Sequence, residues 1–142
     1  MKQLWIGTAV IGTALITAPV LGYAQALDIG KREYVNSCAV CHGTSGKGDG
    51  PLAGQIKTKV SDLTIIAKNN VGVFPFARIY DLIDGRQAVE AHGPRDMPVW
   101  GNVYSMEWAG GPFDFAMPRD RESFVRGRIL AVIGYIYSLQ VK

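Results

Sequence analysis

The residues best equipped for chemistry are Cys38, Cys41 and His42, in the run Cys38-Ala39-Val40-Cys41-His42. Two thiols with two residues between them, followed at once by an imidazole, are what covalent haem attachment requires. The sulfurs reach the two vinyl groups, and the histidine becomes an axial ligand of the iron. The sequence holds 2 Cys and 2 His, so the motif takes both cysteines and one histidine. Other uses of the thiols fit less well. A dithiol redox motif belongs beside a βαβ pattern, and no run here alternates at period two. A disulfide closing so short a loop adds little stability. A tetrahedral zinc site needs further thiolates, and the cysteines are exhausted.

Composition bounds the rest. The chain has 142 residues, 48% hydrophobic and 19% charged, too apolar for a disordered tail and too mixed for a membrane bundle. Lys and Arg exceed Asp and Glu by 15 to 12, and the basic residues are scattered, which argues against a nucleic-acid surface. At the N-terminus Lys2 precedes the uncharged run Leu4 to Val20, interrupted by Pro19 and followed by Ala24-Gln25-Ala26. A positive start, an apolar run and a small-x-small site read as a signal peptide over 1–26, cleaved after Ala26, with residues 27–142 exported to the periplasm. The alternative is an uncleaved anchor, since the run approaches the ~20 residues that span a bilayer.

Within 27–142 no repeat, charge block or linker divides the chain, so one domain is expected. Four helices can be argued. Asp28 is placed to cap a first helix through about Ser37, with Ile29, Tyr34 and Val35 on its apolar face. Ser61 or Asp62 caps a short one through Ala67, stopping near Asn69-Asn70. Pro75 opens a third at its first helical position, with Phe76, Ile79, Tyr80 and Ile83 on one side and Gly85 at its end. The fourth, Arg121 to Gln140, keeps Val125, Ile129, Val132, Ile133, Ile136 and Leu139 in one stripe behind an Asp120 cap. Residues 43–60, 86–98 and 100–120 read as Gly/Pro-rich loops. The expected fold is all-α, about four short helices with long loops wrapped around one covalent haem. Loops that long need something to order them.

With these residues in view, the chain resembles the class I c-type cytochromes over essentially all of 27–142. Gly30, Tyr34 and Cys38 stand four apart, as in that family's first helix, and Val132, Tyr135 and Ile136 resemble the residues of its last helix that cross the first. The crossing has a physical reason: Gly30 has no side chain to hold the helices apart, and Tyr135 can fill the notch. Gly127 and Gly134 are read as marking the same approach. The resemblance extends to Gly46-Lys47-Gly48-Asp49-Gly50-Pro51 and implies that the Pro51 carbonyl accepts the His42 Nδ1 proton. A phosphate-cradling role for these glycines lacks the Gly-Lys-Ser/Thr that would be needed next in sequence.

The resemblance also implies a sixth iron ligand. Met97, in His92-Gly93-Pro94-Arg95-Asp96-Met97-Pro98-Val99-Trp100-Gly101, matches the family's methionine loop in position and sequence. Met117-Pro118 is the rival, His92 comes third, and Met106 is a further candidate. A thioether raises the reduction potential, as electron transfer favours. Arg78, Arg86, Arg95 and Trp100 are candidates to meet the haem propionates. Tyr104, Trp108, Phe113 and Phe115 either cover the core and haem edge or form a docking patch. The function expected is a soluble periplasmic electron carrier, not an enzyme, with His42 and Met97 on the iron and redox proteins as donor and acceptor. The alternatives are a haem subunit docked to a periplasmic dehydrogenase or sulfur-oxidising complex, and a sensor or peroxidase-like haem with an open sixth position.

Overall fold

The structure is a computed structural model that describes residues 27–86, 97–109 and 120–141. The expected signal segment 1–26 lies outside them, as do His92, Arg95, Phe113, Phe115 and Met117. Every regular element among the described residues is helical. Helix α1 is described from residue 27 through His42, with a π-helical stretch Tyr34–Cys38 inside it. Leu63–Ile65 is a 3-10 turn that runs into α2, Ile66–Asn69. Then come α3, Phe76–Asp84, α4, Trp100–Ala109, and α5, Arg121–Ser138.

Helix α5 is the spine. Val125, Ile129, Val132, Ile133 and Ile136 are all buried, at the spacing its sequence stripe gives, each contributing about 1.5–3 kcal/mol through removal from water. It packs against α3, α4 and the 3-10 turn. Where it meets α1, the two backbones touch: a Cβ on Gly30 would collide with the Ala131 carbonyl oxygen and press on Tyr135 Cβ. Tyr135 then lies against Tyr34, ring centroids 5.2 Å apart. The crossing expected at Gly30 is present. Gly127 and Gly134 do not share it, because a Cβ at either would meet nothing within 4 Å; both look into open space.

Several local expectations hold and others need correction. Asp62 caps the 3-10 turn, its Oδ1 accepting from the Thr64 amide at 2.8 Å. Gly85 ends α3 in the left-handed region, φ 65°, its amide donating to the Asp81 carbonyl. Pro75 sits just before α3 rather than at its first helical position. Asp28 lies inside α1 instead of capping it, and Ile29 and Val35 are exposed while Tyr34 is fully buried. Asp120 stands at the start of α5 without a side-chain capping bond. The main omission is α4, expected as loop. Its Trp100, Gly101, Tyr104 and Trp108 recur at helical spacing, but Gly101, Asn102 and Val103 are weak helix formers that obscure the pattern. Packing overrides propensity here: Tyr104 and Trp108 are buried, Trp108 against the Phe124 ring at 5.1 Å. These two aromatics therefore belong to the interior and are not a docking patch.

One ion bridge ties three helices. Arg128 on α5 donates to Glu33 of α1 at 2.6 Å and to Glu107 of α4 at 3.1 Å. Its guanidinium lies over the Tyr104 and Phe124 rings, where an aromatic face attracts a cation.

Two substitutions separate the helix crossing from mere helix propensity. Gly30→Ala should destabilise the protein by about 1–3 kcal/mol, as overpacking against backbone does. Gly127→Ala and Gly134→Ala should leave it unchanged or stabilise it by up to about 1 kcal/mol. Denaturant midpoints measured by far-ultraviolet circular dichroism compare the three directly.

Candidate haem site

Cys38, Cys41 and His42 occupy positions i, i+3 and i+4 at the end of α1, so they share one face. The π-helical stretch comes just before them: the Ala39 amide donates to the Tyr34 carbonyl, five residues back. An extra residue in the turn rotates the helix beyond it, and such bulges recur at functional sites. Tyr34 lies in the core, and Cys38 both packs against that core and, with Cys41 and His42, lines a cavity.

The cavity, of about 530 Å³, is lined by Cys38, Cys41 and His42 together with Met97, Pro98 and Trp100. Leu52, Ile56 and Val60 complete much of an apolar wall. The size lies within the ~300–1,000 Å³ usual for cofactor sites. The two cysteines form no disulfide with each other, so both sulfurs can form thioether bonds. Burial, reinforced by Glu33 and Cys41, pushes the Cys38 thiol up to about 12, so in the folded chain it favours the neutral form.

The histidine is held for ligation. His42 Nδ1 lies 3.1 Å from the Ser61 carbonyl oxygen. A carbonyl only accepts, so Nδ1 carries the proton and Nε2 keeps its lone pair for a metal. Burial pulls the imidazole below its ordinary value, with the bond to Ser61 opposing. The neutral ring is the form an iron ion binds.

This bond corrects the role expected of Pro51. The glycine loop does different work: it caps α1. The amides of Gly48, Gly50 and Leu52 donate to the carbonyls of His42, Cys41 and Val40 at 2.8, 3.0 and 2.9 Å. These are carbonyls that the end of a helix leaves without partners. Drawn tight over the helix end, the loop admits no side chain at Gly50, where a Cβ would meet the Val40 and Ala39 carbonyl oxygens at 2.5 and 2.6 Å. Pro51 sits exposed at the turn between two of these donors. Tyr34 adds one more bond, its hydroxyl donating to the Gly43 carbonyl at 2.8 Å. Burial pushes that phenol well above its ordinary value, so it remains a donor.

The strand of chain that presents Ser61 is fixed from both sides. The Leu63 amide donates to the Gly46 carbonyl at 2.6 Å. Gln140, just past α5, accepts from the Ala67 amide and donates to the Leu63 carbonyl. Nothing in the residue type of Ser61 announces this role, because the acceptor is main chain. The one signal in the sequence is the Asp62 cap, which fixes the turn immediately after it.

Arg86 also needs correction. Its two terminal nitrogens donate to Glu122, both at 2.8 Å, and its Nε donates to Asp84 at 2.7 Å. It is absorbed by protein carboxylates, and its pKa is raised first of all by the Glu122 bonds. Neither Arg86 nor Arg78 lines the cavity, whereas Trp100 does. Met106 is 66% exposed on α4 and is not among the cavity residues, which removes it from the ligand candidates. Among the described residues, no group of three or more His, Cys, Asp or Glu forms a metal site of its own.

The family model described as Cytochrome c matches residues 27–73. No curated protein and no solved structure gives a significant match. The matched residues run from α1 through the capping loop and the Ser61 turn to just beyond α2. Residues 27–73 are thus similar to the Cytochrome c family, and the two cysteines and the histidine beside them, at the spacing for covalent haem c, line one apolar cavity.

Proposed function

We propose that the protein is a periplasmic electron carrier whose iron is ligated by His42 and Met97. The observation that carries this reading is that Met97 and His42, far apart in sequence, line the same cavity. Bound haem supplies a one-electron couple of its iron. The chain's own residues do the rest. Cys38 and Cys41 hold the porphyrin by two thioethers. Ser61, through its carbonyl, keeps the proton on Nδ1 of His42 and raises the ring's basicity. The thioether of Met97 favours ferrous iron and so a higher potential. Leu52, Ile56, Val60 and Trp100 give the site apolar walls, and a dry surround limits the reorganisation that accompanies a change of charge.

No bound substrate is needed for this function; redox proteins serve as donor and acceptor. Export and cleavage after Ala26 rest on the charged start, the apolar run and the Ala-Gln-Ala site at the N-terminus. Among the described residues no helix is long and apolar enough to cross a membrane. In the second reading the same domain is a subunit of a periplasmic dehydrogenase or sulfur-oxidising complex, and copurification with a large partner would favour it.

Three measurements test the carrier and its ligands. N-terminal sequencing of the exported protein should begin at Leu27; a start at Met1 makes the segment an anchor. Cys38→Ala and Cys41→Ala should each leave at most one thioether and little stable holoprotein, read by intact mass and absorption spectrum. Met97→Ala should abolish the weak sulfur-to-iron charge-transfer band, open the iron to carbon monoxide and lower the potential. Met106→Ala and His92→Ala should keep the band. Its loss in Met117→Ala with retention in Met97→Ala would transfer the ligand role to Met117.

A further inference from the structure

Asp84 and Arg86 stand at the end of α3, and Gly101 stands at the start of α4. In sequence they flank the stretch that contains Met97. In space they touch. A Cβ on Gly101 would collide with Asp84 Oδ1 and would come within 2.6 Å of Arg86 Nε and 2.8 Å of the Asp84 carbonyl oxygen. Asp84 is only 7% exposed, so its carboxylate is held in place beneath Gly101 while it accepts from Arg86 Nε. The rest of the Arg86 guanidinium is fixed by both carboxylate oxygens of Glu122, in the first turn of α5. Two parallel N–H···O bonds set the orientation of the guanidinium plane as well as its position.

We infer that Asp84, Arg86, Glu122 and Gly101 form a clip that positions Met97 against the haem iron, by pinning together the two ends of the chain stretch that bears it. The inference rests on the reading of Met97 as ligand. Only Pro98, Val99 and Trp100 separate Met97 from Gly101. An extended chain advances at most about 3.3–3.6 Å per residue, so the placement of Gly101 limits where Met97 can lie. Two of the three intervening residues, Pro98 and Trp100, line the cavity with Met97. Trp100 is also seated against Tyr104, ring centroids 6.0 Å apart. Displacing Gly101 from Asp84 would move this run as a unit. The four residues are positioning residues, since none of them lines the cavity.

The test uses the haem-loaded ferric protein and two independent variants. Gly101→Ala inserts a methyl group between α4 and the Asp84–Arg86 pair. Arg86→Lys keeps the charge and removes the fork, which a lysine cannot reproduce. Exogenous imidazole competes with Met97 for the iron, so its apparent affinity reports how firmly the methionine is held. Both variants should bind imidazole about 3- to 10-fold more tightly than the unaltered protein. The sulfur-to-iron band should also disappear on heating well before the helical circular dichroism is lost. Gly127→Ala, an open position on α5, should change neither readout.

Unchanged imidazole affinity in Arg86→Lys overturns the inference even if Gly101→Ala fails to fold. So does a band that disappears only together with the helices in both variants. Absence of the band in the unaltered protein, or its retention in Met97→Ala, overturns the ligand reading and the clip's role with it. That result is recognised before any clip variant is made.

Discussion

The backbone contact between Gly30 and Ala131 is the constraint on which the remaining geometry depends. Two helices can approach so closely only where one of them offers no side chain. Once α1 and α5 are fixed at that distance, Tyr34 and Tyr135 meet beside the contact, and the buried stripe of α5 faces α3 and α4. Arg128, on the same helix, then reaches Glu33 and Glu107 together. The orientation of the end of α1 is set by these contacts, and with it the face that carries both cysteines and the histidine.

A second requirement operates at that end. The last carbonyls of a helix need donors, and here the donors come from a loop whose glycines let its backbone lie directly on the helix. One segment thereby satisfies the helix end and carries the chain round to the Ser61 turn, where a main-chain oxygen accepts the hydrogen bond from His42 Nδ1. Local hydrogen bonding and cofactor chemistry use the same atoms. The 46–52 loop is therefore ordered by main-chain bonds of its own, in addition to whatever order the haem imparts.

How far a sequence discloses its fold depends on which physics is written in residue type. The attachment motif depends on side-chain chemistry and spacing, so Cys38, Cys41 and His42 are legible directly. The stripe of α5 and the Gly30 notch are legible because periodicity and the absence of a side chain are visible in a sequence. The Ser61 acceptor is not, since any residue has a carbonyl. Arg86 misleads because its type suits a propionate and a protein carboxylate equally well, and only the fold brings Asp84 and Glu122 to it. Helix α4 is hidden because Gly101 and Asn102 are poor helix formers. Yet Gly101 is glycine for the reason Gly30 is: another part of the molecule occupies the space of its side chain.

The α1–α5 contact also orders events in the life of the chain. Its partners are about 100 residues apart, and contacts of such sequence separation are slow to form because the intervening chain must first be closed into a loop. Synthesis proceeds from the N-terminus, so the cysteine-bearing helix exists for a time without the helix that will cross it. During that interval the residues of α1 that pack on the core, Tyr34 and Cys38 among them, are not yet enclosed. The topology thus makes the crossing of α1 by α5 a late event, closed only when the last helix reaches the segment that carries Cys38, Cys41 and His42.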